Sequence, residues 1–172
     1  RVFYGLKPAS QPKRPADWNM VDERVGQIRI RTVPTYHDPE DGMARGKNAV
    51  WIVEVGGLVF CHLGDLGHEL TESQRKAIGP VDILMVPVGG IYTLNGTQAK
   101  RVVEQILPRF YVLPMHNAVT GYEEQLSSDE FLDEQQHVTR LPEQNELRIP
   151  ADPPAVKHPT IVVLGWQSKS RE

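Results

Sequence analysis

The sequence has few of the features that mark secreted, membrane-spanning or nucleic-acid-binding proteins. Its one cysteine, Cys61, has no partner for an internal disulfide, and we expect a reducing, cytoplasmic environment. The longest apolar stretch, residues 49–63, is interrupted by Glu54, Gly56 and Gly57, so no membrane span is expected. The net charge is -3 and includes no basic block, which argues against binding to a phosphate backbone.

The composition is that of a folded domain. The 172 residues are 40% hydrophobic and 24% charged, which predicts a single domain over residues 1–172 with a substantial core. Residues 1–25 are rich in proline and polar side chains, so we expect an irregular N-terminal segment there. The sequence begins at Arg1 rather than at methionine, and we expect further residues upstream in the intact protein.

Strand and helix patterns alternate in the middle of the chain. Apolar runs and alternation predict strands at residues 27–33, 49–55, 58–63, 81–88, 110–115, 138–141, 146–149 and 160–164. Gly56-Gly57 indicates a hairpin turn between two of them. The capping patterns Thr71-x-x-Gln74 and Ser127-x-x-Glu130 predict helices at residues 72–78 and 128–136, and amphipathic spacing predicts a helix at residues 97–107. Strands alternating with helices predict an α/β sandwich.

Three residues with metal-binding side chains follow the ends of predicted strands. His37, Asp65 and His116 each lie where a strand gives way to a loop, and such strand ends often converge on a ligand. Histidine nitrogen and aspartate oxygen are ordinary zinc ligands. The three residues are too far apart in sequence to form a compact motif. Each also has a simpler interpretation: a solvated turn for His37, an Asx turn for Asp65, and a backbone hydrogen bond for His116.

The surroundings of these residues make the pattern more specific. The segments are VPTYHD at residues 33–38, HLGDLG at 62–67, PVGG at 87–90, PMH at 114–116 and LPEQNEL at 141–147. In this order they resemble the metallo-β-lactamase superfamily, in particular its metal-dependent hydrolases related to ascorbate-phosphate lactonases. The resemblance implies a four-layer αββα sandwich, of which this chain would be the C-terminal portion.

The resemblance also implies a role for each residue. His37 corresponds to a ligand of one metal, Asp65 to the carboxylate that bridges two metals, and His116 to a ligand of the second metal. His62 and His68 flank the bridging aspartate, and we expect them to line the pocket or support the ligands; for His62 a packed strand histidine is the alternative. The remaining two histidines match nothing in the family and are expected at the surface.

One motif of the family is missing. No His-x-His-x-Asp-His string, which supplies four of the usual ligands, occurs in the sequence. Three ligands spread over two metal positions would hold zinc weakly, because zinc sites use at least three protein ligands each. We expect the motif to lie upstream of Arg1 or in another chain. The alternative is a degenerate relative that kept the fold as a non-catalytic binding or scaffold module.

The function implied for the intact protein is hydrolysis by metal-activated water. Two zinc ions are expected, with manganese or iron as alternatives, and the substrate would be a small-molecule ester, lactone or phosphodiester. We expect no nucleic-acid or membrane partner; the expected protein partner is a missing N-terminal half or a second copy of the chain in a homo-oligomer. Tyr36, Tyr92 and Tyr122 are candidate pocket residues. Arg45, Lys47 and Lys100 are candidate contacts for an anionic group, with ordinary surface cations as the default interpretation of all three.

Overall fold

The computed structural model describes residues 2–7, 16–150, 153 and 156–165. The strands are β1 Leu6–Lys7, β2 Asp17–Trp18, β3 Asp22–Val25, β4 Ile28–Tyr36, β5 Lys47–Val55, β6 Leu58–His62, β7 Ile83–Pro87, β8 Tyr111–Met115, β9 Val138–Leu141 and β10 Thr160–Leu164. The helices are α1 Glu72–Ile78, α2 Gly96–Ile106 and α3 Asp129–Leu132. Among the described helices, none has the length and apolar character needed to cross a membrane.

Eight of the strands form one mixed sheet, in the order β3-β4-β5-β6-β7-β8-β10-β9, and β1 pairs with β2 separately. Strands β3 to β6 are antiparallel neighbours, with Gly56 and Gly57 in the β5–β6 turn at φ 59° and 78°, as the sequence predicts. Strands β7 and β8 run parallel to β6. Since β4 runs in the same direction as β6, the C-terminal ends of β4, β6, β7 and β8 lie on the same side of the sheet. This side, where the four strands end, is here called the C-terminal edge.

Both longer helices begin with a reciprocal capping pair, of which the sequence predicted the one on α1. The Thr71 side chain accepts from the Gln74 N–H, and the Gln74 side chain accepts from the Thr71 N–H. Asn95 and Gln98 form the same reciprocal cap on α2. These caps satisfy backbone donors that the first helical turn leaves free, and they fix where each helix starts.

The helices cover one face of the sheet. Strand register places alternate apolar residues of neighbouring strands side by side on this face, and the buried stripe of α2 packs over them. The resulting core includes Val33, Ile52, Cys61, Leu84, Val112 and Ile161 from the sheet and Ile78, Ala99 and Val102 from the helices. Burial of this one face supplies most of the hydrophobic stabilisation that holds the C-terminal edge in place.

The opposite face is apolar but only half buried. It carries Trp51, Phe60, Met85 and Leu113 in successive strands, and the β1–β2 pair lies across β5. The α/β class is therefore confirmed. Within the described ranges there is one large sheet, so the second sheet of a four-layer sandwich stays a prediction for residues outside them.

Three local predictions differ from the structure. Residues 1–25, expected to be irregular, contain β1, β2 and β3, while residues 8–15 lie outside the described part. Residues 146–149, expected to form a strand, have no regular structure. The third helix is four residues long rather than nine and has no side-chain cap. Glu130, expected to cap it, accepts instead from the Gly96 N–H, the Thr97 N–H and the Thr97 hydroxyl at the start of α2.

Candidate metal centre

The three predicted ligand positions lie at the C-terminal edge of the sheet. His37 directly follows β4, Asp65 lies three residues after β6, and His116 directly follows β8. Sequence reasoning placed all three at strand ends, and the common direction of β4, β6 and β8 brings those ends to the same edge. Loops anchored on a rigid sheet can hold side chains in fixed relative positions.

Asp65 and His116 form the closest pair. The Nε2 atom of His116 lies 3.5 Å from Oδ1 of Asp65. Two ligands of one tetrahedral zinc ion, each about 2.0–2.1 Å from the metal, are about 3.4 Å apart. The Nδ1 atom of His116 is buried and has no hydrogen-bond partner among the described residues. The pair therefore has the spacing and chemistry of two ligands on one cation.

His37 has a similarly unsatisfied ring. Its Nε2 atom is buried without a hydrogen-bond partner in the described part of the chain. Burial of an unpaired ring nitrogen costs about 1–3 kcal/mol, so such an atom calls for an explanation. A metal ion bound through Nε2 would provide one. The backbone of His37 is fixed, because its N–H donates to the Gly46 carbonyl at 3.0 Å.

These residues fit a metal ion in type but do not complete a site. Across residues 2–7, 16–150, 153 and 156–165, no three His, Cys, Asp or Glu side chains lie close enough together to hold a metal ion. The chain therefore offers the Asp65–His116 pair and a separate His37. The assignment of these three as metal ligands stays a prediction, and further ligands must come from outside the described residues.

Asn48 positions the Asp65 loop, and sequence reasoning missed it. Its buried side chain accepts from the Asp65 N–H at 3.0 Å and donates to the Leu63 carbonyl and the Thr35 hydroxyl, both at 2.8 Å. It thus ties the end of β4 to the loop after β6. The one hint in the sequence is a polar amide directly before a predicted apolar strand, a residue type that must find partners when buried.

His68 supports the chain just before His37. Its Nε2 accepts from the Tyr36 N–H at 3.1 Å, and its Nδ1 lies 2.7 Å from the Glu69 carbonyl. This pairing requires the hydrogen on Nδ1 and leaves no free ring nitrogen for a metal. His62 is exposed, and its Nδ1 accepts from the Gly64 N–H at 3.0 Å. Neither ring contacts His116 by hydrogen bond.

Two glycines allow the loops of the edge to pack tightly. A Cβ on Gly67 would overlap the backbone of His37, and a Cβ on Gly89 would overlap the carbonyl oxygen of His116. His116 itself has φ 53°, in the left-handed region that few non-glycine residues adopt. Such a conformation at a strand end is held only by its surroundings, here including the close approach of Gly89.

The loop after His37 is organised by the buried carboxylate of Asp38. Its two oxygens accept from four backbone N–H groups, those of Glu40, Gly42, Ala44 and Arg45, at 2.6–3.2 Å. Burial opposes ionisation of Asp38, but these four hydrogen bonds outweigh it and its pKa lies below the ordinary value. The sequence predicted a loop at His37, though not this single organising residue.

The other candidate pocket residues occupy different environments. Tyr36 packs edge-on against Trp18 and lies beside His68, while Tyr92 and Tyr122 are exposed. Lys47 pairs with Asp17 at 2.7 Å, and Lys100 donates to the Asp133 carbonyl at 2.8 Å. The two remaining histidines, His137 and His158, stack on each other with ring centroids 5.7 Å apart, away from the C-terminal edge.

Comparison with known proteins agrees with this architecture. Residues 10–116, more than half of the chain, match the family profile described as Beta-lactamase superfamily domain. The chain therefore belongs to the metallo-β-lactamase superfamily. A UPF0173 metal-dependent hydrolase of Pyrococcus furiosus is 34% identical over 95 residues, covering 54% of this chain and 42% of the relative. One from Carboxydothermus hydrogenoformans is 33% identical over 95 residues, with 53% and 42% covered.

A solved structure shows the same fold over most of the chain. A Thermotoga maritima protein, classed with the zinc-dependent hydrolases of the metallo-β-lactamase superfamily, is 33% identical with a TM-score of 0.72. The match covers 90% of this chain and 71% of that protein. The chain spans less than half the length of the curated relatives it matches.

Proposed function

We propose that this chain contributes His37, Asp65 and His116 to the metal centre of a metal-dependent hydrolase. The observation that carries the proposal is the 3.5 Å separation of the His116 imidazole from the Asp65 carboxylate at a shared sheet edge. The relatives named as metal-dependent hydrolases support the reaction class. The remaining ligands would come from a His-x-His-x-Asp-His segment outside this chain.

The proposed centre would use Asp65, His116 and His37 as ligands, for two metal ions that are most simply zinc. When bound, the metal lowers the pKa of a coordinated water and polarises the scissile group of the substrate. Asn48 orients Asp65 through the backbone N–H of that residue, and His68 holds the backbone next to His37. Residues of this kind, which support ligands without binding metal, typically change metal affinity 10–100-fold when lost.

Gln125 completes the support proposed for His116. A histidine bound to metal through Nε2 usually donates its Nδ1–H to an acceptor. Within the described residues the His116 Nδ1 has no such acceptor. The Oε1 of Gln125 is also buried without a partner there and lies near Gly89, the residue that packs on His116. We propose that the Gln125 Oε1 accepts from the His116 Nδ1–H in the metal-bound protein.

Metal titration tests the proposal. We expect the gene product containing this chain to bind zinc, and Asp65→Asn and His116→Ala each to weaken binding at least about tenfold, measured by isothermal titration calorimetry. His137→Ala removes a histidine from the stacked pair far from the edge and is the matched control. Unchanged zinc binding in both ligand variants would contradict the proposal, and a stable, metal-free native protein would favour a non-catalytic scaffold.

The substrate class belongs to the same proposal. A small-molecule ester, lactone or phosphodiester suits a net charge of -3 without a basic block. Hydrolysis of p-nitrophenyl acetate and of bis-p-nitrophenyl phosphate, each before and after treatment with a chelator, separates the carboxylic from the phosphoric ester. Activity that survives removal of the metal would contradict the reaction class.

A further inference from the structure

We infer that Arg45 binds an anionic group of the substrate, a carboxylate or a phosphate, at the rim of the candidate metal centre. The inference rests on the proposed function, since it assigns a substrate feature to that site. It starts from a guanidinium that the structure fixes in place between the loops of the C-terminal edge.

The backbone of Arg45 is held close to His37. Its N–H donates to the buried Asp38 carboxylate at 2.6 Å, and the next residue, Gly46, accepts from the His37 N–H at 3.0 Å. Both ends of the loop that carries Arg45 are therefore anchored at His37 and Asp38, so the loop is tied to a proposed ligand. A loop organised by four hydrogen bonds to one buried carboxylate presents its side chains with little freedom.

The guanidinium reaches across to the loop that follows β7. Its Nη2 donates to the Ile91 carbonyl at 3.0 Å, and its Cζ lies 5.9 Å from the ring centroid of Tyr92. Ile91 has φ 47°, a strained conformation for a β-branched residue. Strain of this kind persists only where surrounding contacts hold it, and it is common in ligand-binding loops.

The loop after β7 also touches the other two proposed ligands. Gly89 packs on the carbonyl of His116, and the Leu94 N–H donates to the carbonyl of Leu66, the residue after Asp65. Arg45 thus connects the loop of His37 to the loop that adjoins Asp65 and His116. A group bound by Arg45 would therefore lie where the loops that carry or adjoin the three proposed ligands meet.

The positive charge of Arg45 is not neutralised within the described ranges. No carboxylate lies within ion-pair distance of its guanidinium, whereas Arg29 pairs with Asp22, and Arg101 with Glu69. Among the three cations that the sequence offered for an anionic group, Lys47 already has an acidic partner and Lys100 a carbonyl. A guanidinium has five N–H donors in a fork that matches carboxylate and phosphate oxygens, and the Ile91 carbonyl uses one of them.

The neighbouring side chains indicate the rest of the ligand. Ile91 and Tyr92 are 51% and 47% exposed, so apolar surface flanks the guanidinium on the loop it contacts. A cation next to exposed apolar side chains suits a small molecule that has an anionic group and an adjacent hydrophobic part. The alternative is a solvated surface arginine that contributes only to local loop structure.

Anion titration of the metal-free protein distinguishes these alternatives. After dialysis against EDTA, the chain is titrated with inorganic phosphate and, separately, with acetate at low ionic strength, and binding is followed by calorimetry. We expect wild-type protein to bind one of the two anions, and Arg45→Gln to weaken that binding at least about tenfold. Arg45→Lys keeps the charge but loses the fork, so we expect an intermediate value.

The controls keep this test separate from the proposed function. Arg101→Gln removes an exposed arginine that is already paired with Glu69, and it should leave anion binding unchanged. Zinc titration of Arg45→Gln should match wild type. Anion binding that depends on Arg45 in a protein without zinc affinity would uphold the subsite and overturn the metal centre. Absence of binding by wild type, or equal binding by Arg45→Gln, would overturn the subsite.

Discussion

The Asn48 side chain accepts a hydrogen bond from the Asp65 N–H at 3.0 Å. Its amide nitrogen donates to the Thr35 hydroxyl near the end of β4 at 2.8 Å. This one amide links two loops that carry proposed ligands. Because Asn48, Thr35 and Leu63 are buried, removal of the amide leaves the Thr35 hydroxyl and the Leu63 carbonyl without this hydrogen bond in a place shielded from water.

We expect Asn48→Ala to lower the free energy of unfolding by about 2 kcal/mol, the cost of leaving buried polar groups unpaired. Asn48→Asp can still accept from Asp65 but cannot donate to the Leu63 carbonyl, so it should also be destabilised. Urea unfolding followed by tryptophan fluorescence measures both. Asn145→Ala, at an exposed asparagine, is the control, and an Asn48→Ala protein as stable as that control would contradict the assignment.

Close packing at Gly89 gives a second prediction. An alanine Cβ there would overlap the His116 carbonyl oxygen, so we expect Gly89→Ala to lower stability by about 3 kcal/mol and to weaken zinc binding. Gly26→Ala is the contrast: Gly26 has open space around it but φ 61°, so only the conformational cost of about 1 kcal/mol applies. Thermal unfolding of the two variants should rank them in this order; equal losses would show that His116 is not packed against Gly89.

Sequence patterns predicted the sheet better than they predicted the site. Apolar alternation and turn chemistry gave β4 to β8 and both capped helices to within a few residues, because those features depend on neighbours in the chain. The strand-end positions of Asp65 and His116 were also evident. Their approach to each other depends on the parallel pairing of β6, β7 and β8, which no local pattern encodes.

The features that sequence reasoning missed depend on long-range contacts. Glu130 was predicted to cap its own helix, yet it binds the N-terminus of α2, because α3 packs against α2 and brings the carboxylate to two free N–H groups. Asp38 and Asn48 act through partners spread over several loops and strands. From a single sequence, a polar residue such as Asp38 or Asn48 can be identified, but its hydrogen-bond partners in other loops and strands cannot.

Glu130 predicts a pH dependence of stability. The Thr97 hydroxyl and the N–H groups of Gly96 and Thr97 lower its pKa from the ordinary value of 4.5. The stabilisation is therefore complete above about pH 4.5 and is lost as pH falls through the lowered pKa. We expect Glu130→Gln to cost about 0.5 kcal/mol at pH 7, the usual size for an exposed carboxylate at a helix N-terminus.

Urea unfolding of the Glu130→Gln variant at pH 7 and at pH 3 measures this effect. The difference from wild type should shrink at the lower pH, because protonation of Glu130 removes the charge that stabilises the N-terminus of α2. Glu124→Gln, at an exposed position with no described hydrogen bond, should show no difference at either pH. A Glu130→Gln cost that is the same at both pH values would show that charge is not the source of the stabilisation.

His68 gives a prediction about metal affinity. Since its Nε2 accepts from the Tyr36 N–H beside His37, loss of the ring should let the His37 loop move. We expect His68→Ala to weaken zinc binding by about tenfold while Asp65 and His116 remain in place. His158→Ala is the control, and the measurement is zinc titration. A His68→Ala protein with unchanged zinc affinity would show that His68 stabilises the loop without bearing on the metal.

The reactivity of the Cys61 thiol measures how often the core beneath the candidate metal centre opens to solvent. Its side chain is fully buried in the core, and burial raises the pKa of the thiol to about 12. Because the thiolate is the reactive form, native protein should react with DTNB at a rate on the order of a thousandfold or more below that of the unfolded chain. Because Cys61 is the only cysteine, the DTNB absorbance reports on this thiol alone. Protein unfolded in guanidinium gives the absorbance change expected for complete reaction. A fast reaction of the native thiol would mean that the sheet opens readily at β6, next to the Asp65 loop.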